Sequence, residues 1–124
     1  MGPSVAALQQ DGDARLDILP LDTLEQDERT YALALHCTPL GMFPNDEACA
    51  LSASVLTRCR AVFDAVYNPL ETRLLSLARA QGAKCIGGFG MLFYQAVEAQ
   101  RHWLGRVPPA KVLRELRKAL ESLV

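Results

Sequence analysis

Three short apolar stretches separated by helix-patterned segments set the tightest constraint on this chain. They are "YALALHC" (31–37), "RAVFDAVY" (60–67) and "KCIGG" (84–88). A strand joined to the next by a helix returns in the same direction, so this rhythm predicts a parallel sheet with helices on its faces. A shorter alternating stretch, "RLDIL" (15–19), is a further strand candidate and brings the expected sheet to about four strands. Val5 to Leu8 suit the last turns of a helix that Asp11-Gly12 ends, and Asp22 is placed to cap a turn through Glu25.

The helices show the matching signals. Residues 44–59 read as a loop and a short amphipathic helix with Leu51, Val55 and Leu56 on one face. Thr72 caps the helix "RLLSLARAQG", which closes on Gly82. Residues 90–105 form a long helix ending at Gly105. Pro108-Pro109 start a last amphipathic helix whose stripe is Val112, Leu113, Leu116, Leu120 and Leu123. A length of 124 residues fits a single domain, 1–124, with a helical C-terminal segment over 90–124.

Composition narrows the function classes. A net charge of −1 gives no electrostatic argument for nucleic acid or an anionic membrane. No apolar run approaches the length of a membrane span. The four cysteines (37, 49, 59 and 85) lack CxxC spacing, and no metal site is expected. His36 beside Cys37 reads as a pair of strand positions. With no secretion signal in the sequence, the cysteines are expected to be reduced thiols in a cytoplasmic protein.

In parallel α/β sheets, ligands bind beyond the carboxyl ends of the strands. Thr38-Pro39-Leu40-Gly41, Ala65-Val66-Tyr67 and Gly87-Gly88-Phe89-Gly90 fall at those ends. Gly88 and Gly90 permit close backbone approach, and Ala65 is small. Gln95, early in its helix, carries both a donor and an acceptor. Asp64, near a strand end, suits the acceptance of nearby backbone amides.

The pieces "CTPLGM" (37–42), "VFDAVYNPLETRLL" (62–75), "ARAQGAK" (78–84) and "GGFGMLFYQAVEAQRHWLG" (87–105) together resemble the shikimate dehydrogenase family. The resemblance covers roughly residues 15–120. It implies a partial doubly wound, Rossmann-like α/β sheet, the C-terminal part of a nucleotide-binding domain plus its closing helices, lacking the first βαβ unit. It also implies NADP as cofactor and a shikimate-like polyol acid as ligand. Tyr67 then matches a phenol in the substrate cleft, and Gln95 an amide that binds a substrate hydroxyl. Ala65 and Gly88 match backbone positions near the nicotinamide, and Thr38 a residue beside the cofactor.

The sequence departs from that family in three respects. It has no Gly-x-Gly-x-x-Gly loop to meet a pyrophosphate. It has no counterpart of the separate substrate domain that supplies the family's catalytic Lys and Asp. His36 stands where the family usually has Asn. No catalytic residue is therefore assigned, and this chain alone is expected to bind NADP weakly and to be inactive as a dehydrogenase. An N-terminal complementing polypeptide is the implied partner, with self-association when it is missing. The alternatives are a non-catalytic remnant or interaction domain, and a binding module for a shikimate- or quinate-like acid.

Overall fold

The computed structural model describes residues 17–124. Three parallel strands lie in sequence order: β1 (Ala34–His36), β2 (Ala61–Asp64) and β3 (Lys84–Gly87). A single parallel bridge from Tyr31 to Cys59 extends the β1–β2 pairing at its start. The sheet thus has three strands among the described residues, where the sequence suggested about four. Asp17, Ile18 and Leu19 of the "RLDIL" candidate form no strand, and residues 15 and 16 lie outside the described part. Alternation alone cannot hold a strand, because a ladder needs a neighbour; Pro20 then turns the chain into a short 3-10 helix, Leu21–Glu25. Asp22 lies inside that turn rather than capping it, and the Thr23 hydroxyl instead donates to the Pro20 carbonyl. The helix expected near Val5–Leu8 also lies outside the described residues.

The helices follow their local signals closely. Helix α1 (Ala53–Leu56) starts at Ser52, whose side chain accepts from the Val55 amide. Leu51 lies ahead of it, while Val55 and Leu56 face the core. Helix α2 (Arg73–Ala80) starts at Thr72, whose hydroxyl accepts from the Leu75 amide at 3.3 Å. Just past its end sits Gly82 at φ +85°, a left-handed conformation that suits glycine. Helix α3 (Phe89–Leu104) ends on Gly105 at φ +65°, and α4 (Ala110–Glu121) follows Pro109.

Register decides which side chains share a face. Ala34, Val62 and Cys85 form one cross-strand row, and His36, Asp64 and Gly87 the next row on the same face. Leu56, Leu74, Leu75 and Ala78 pack with Val62 in the core of this face. The intervening row, Leu35, Phe63 and Ile86, points the other way. Leu35 and Ile86 are each 63% exposed. Helix α4 keeps its stripe half open as well, with Val112, Leu116 and Leu120 exposed, although Leu116 and Leu120 line a 410 Å³ groove against α3.

Candidate functional site at the carboxyl edge

The ends of all three strands are tied into one edge by backbone hydrogen bonds. The Ala65 amide donates to the His36 carbonyl at 2.9 Å, and the Gly88 amide to the Val66 carbonyl at 3.1 Å. One turn further out, the Phe43 amide donates to the Asn68 carbonyl at 2.9 Å and joins the first two loops. Gly41 turns the first of these loops at φ +82°.

Contact at Gly88 is closer than any other residue allows. A Cβ at this position would lie 2.1 Å from the Ala65 carbonyl oxygen and 2.5 Å from its carbon. Both neighbours are backbone, so no side-chain movement relieves the clash. The end of the third strand is thereby held against the chain that follows the second.

Beneath the edge lies a buried polar chain. Asp64 and Thr72 are each 0% exposed, and His36 is buried too. One Asp64 oxygen, Oδ1, lies 2.9 Å from His36 Nδ1 and accepts from the Val66 amide at 3.0 Å. The other, Oδ2, accepts from the Thr72 hydroxyl at 2.6 Å. His36 Nε2 lies 2.5 Å from the hydroxyl of Thr38, an exposed residue. A buried carboxylate with three neighbours able to donate has its lone pairs satisfied, which makes its burial tolerable. The chain Thr72–Asp64–His36–Thr38 therefore runs from the start of α2 across two strands to the solvent edge.

This geometry sorts the residues chosen from sequence. Thr38, Ala65 and Gly88 come together at the one edge. Tyr67, 40% exposed, follows β2 at its mouth. Gln95 is exposed on the second turn of α3. Asp64 does accept a backbone amide, as its position suggested, but it also organises His36 and Thr72. That role was not visible locally: His36 and Asp64 are 28 residues apart and meet only through the β1–β2 register. The available signal was a histidine and an aspartate at the ends of two candidate strands.

The parallel three-strand order, the helices on it and the shared carboxyl edge define the chain as a Rossmann-like α/β segment. The sequence profile described as "Shikimate 5'-dehydrogenase C-terminal domain" matches residues 88–116. A shikimate dehydrogenase (NADP(+)) of Methanosarcina mazei is 45% identical over 103 residues, which is 83% of this chain and 36% of that protein. A solved chorismate mutase/shikimate 5-dehydrogenase fusion protein from Clostridium acetobutylicum superposes with a TM-score of 0.74 at 28% identity, covering 84% of this chain and 38% of that one. A shikimate 5-dehydrogenase from Thermus thermophilus, solved with NADP(H) and shikimate, gives 0.63 at 30% identity, covering 82% of this chain and 37% of that one. Over 83% of its length the chain is similar to shikimate dehydrogenases. It spans 36% of the length of the first of these relatives. No helix among the described residues is long and apolar enough to cross a membrane.

Proposed function

We propose that this chain provides the nicotinamide-side wall and closing helices of an NADP-dependent dehydrogenase acting on a shikimate-like polyol acid. The observation that carries this reading is the edge itself, where Gly88 is pressed on the Ala65 carbonyl and Thr38 stands alongside. Backbone and small side chains at that edge fit one flat end of a dinucleotide. Tyr67 and Gln95 are the candidates for the polyol, the phenol through its hydroxyl and the amide through both of its polar atoms. NADPH would supply the hydride when bound.

Two requirements of the reaction are not met by the described residues. A dinucleotide needs its pyrophosphate held, and a carbonyl acceptor needs a proton donor. We assign both to further polypeptide, in the same chain or another, corresponding to the N-terminal part of the relatives. The exposed row of Leu35 and Ile86 and the edge of β1 that no described strand pairs with are its seat. Without that part the chain self-associates and binds NADPH weakly, with a Kd above roughly 10 μM.

The test is reconstitution. The chain is mixed with a polypeptide bearing the Gly-rich loop and substrate domain of a relative, and NADP reduction by shikimate is followed. Activity that appears on mixing and disappears with Gly88→Val supports the reading. A stable complex with no activity sinks it and favours the interaction-domain alternative.

A further inference from the structure

Charge is divided unevenly along this chain. Residues 17–30 hold five carboxylates, Asp17, Asp22, Glu25, Asp27 and Glu28, and one cation, Arg29. Residues 106–121 hold five cations, Arg106, Lys111, Arg114, Arg117 and Lys118, and two carboxylates, Glu115 and Glu121. Helix α4 turns Leu113, Leu116 and Leu120 toward α3. Lys111, Arg114 and Lys118 recur three and four residues apart, so they form one ridge on the opposite side, and all three are exposed. Among the described residues none of the three has an ion pair; Arg117 instead takes Glu121. On the acidic segment Asp27 is taken by Arg29 and Tyr31, and Glu25 accepts from the Ser52 hydroxyl. Asp22 and Glu28 are exposed and have no ion pair among the described residues. Apolar surface accompanies both segments. Leu21 and Leu24 help to line a cavity of about 280 Å³ beside β1 with Leu33 and Leu35. On α4, Leu123 is 79% exposed.

We propose that the basic ridge of α4 in one copy of this chain docks on the acidic segment 17–28 of a second copy. This rests on the self-association proposed above and names its two surfaces. A two-fold contact centred on either segment sets like charges face to face, which costs affinity. Opposite charges on two segments of the same chain favour the pairing of unlike patches. Exposed ion pairs are individually weak. The apolar cavity beside β1 supplies the burial they lack, and Leu35 carries it over into the open row of the sheet.

The experiment is sedimentation velocity on the whole chain, with a urea melt of each variant to show that it folds. The wild-type association constant should fall about tenfold or more between about 25 mM and about 0.5 M salt, as the Debye length shrinks and exposed charges are screened. A salt-independent constant overturns the proposal, whatever the variants do. Two double variants each invert one surface: Lys111→Glu with Arg114→Glu, and Asp22→Lys with Glu28→Lys. Either alone should lose association about tenfold or more at low salt, because like charges then meet. Their equimolar mixture should associate again, since each carries the sign that the other's inverted patch requires. Association that survives in either folded variant alone, or that does not return on mixing, overturns the proposal and leaves self-association to the open row. A wild type that stays monomeric at low salt overturns the self-association as well, while the dehydrogenase reading stands or falls by reconstitution. A monomer that instead binds phosphatidylserine vesicles through Lys111 and Arg114 assigns the ridge to a membrane surface, and the proposal is again overturned.

Discussion

The two faces of the same three strands have opposite fates. On one, Val62 is buried under α1 and α2, and the next row carries a satisfied Asp64. On the other, one residue along each strand, Leu35 and Ile86 stand in solvent with Phe63 half-buried between them. Composition does not separate the two rows, since the open one is the more apolar. What separates them is a partner: α1 and α2 pack over one side, and among the described residues Leu35 and Ile86 on the other stay exposed. Strands buried on both faces read as continuous apolar runs. The sequence of β1 and β2 thus describes a sheet with two covered faces, of which the described residues cover one.

The strongest way to break this comparison is Asp64→Ala. It removes the acceptor of His36, Thr72 and the Val66 amide together, and we expect a loss of about 3–5 kcal/mol in a urea melt, as for a broken buried pair. A loss under about 1 kcal/mol would mean that water replaces the carboxylate and the covered face is looser than described. Leu75→Ala comes next. It empties a fully packed site beneath α2, and about 2–5 kcal/mol should go, read from the same transition.

A smaller effect belongs to the cluster ahead of β1. Hydrogen bonds from the Arg29 side chain, then from the Tyr31 hydroxyl, hold the Asp27 carboxyl well below the usual carboxylate range. Asp27 thus binds its proton less readily folded than unfolded. Its contribution is complete above the ordinary carboxylate pKa of about 3.9 and fades as pH falls through the lower folded value. Asp27→Asn should flatten that part of the acid limb and leave the slope above pH 5 untouched. An unchanged acid limb would show that the cluster does not persist in solution.

The smallest change in stability is expected on the open face. Ile86→Gln should shift the midpoint by less than about 0.5 kcal/mol, as surface substitutions do, while sedimentation shows weaker self-association. A destabilisation matching that of Leu75→Ala would mean that the row is covered after all, and the contrast between faces would disappear.

What the sequence disclosed and what it withheld follow the same physical line. Helix starts and stops are local: Thr72, Gly82, Gly105 and Pro109 each act on backbone groups within one turn, and each stands at its expected place. The three strands were legible from their apolar runs. Asp17 to Leu19, the described part of "RLDIL", form no strand: alternation is what a half-buried strand needs, while the partner that makes a strand is not written in five residues. The edge was legible as a place, since parallel topology puts it there. Its chemistry was not, because the contact of His36 with Asp64 exists only once two distant segments share a register.

Thr72 carries a consequence in time. Its hydroxyl accepts from the Leu75 amide and donates to Asp64, so a single oxygen both begins α2 and closes the buried chain. The first turn of that helix cannot fray without releasing the carboxylate, and the carboxylate cannot turn away without loosening the helix. Loops usually open with little free energy, whereas core elements open near the global limit. The Asp64–His36 contact is fastened to the second kind. Amide exchange at Leu75 should therefore be as slow as in the strands, so the start of α2 and the buried carboxylate open together or not at all.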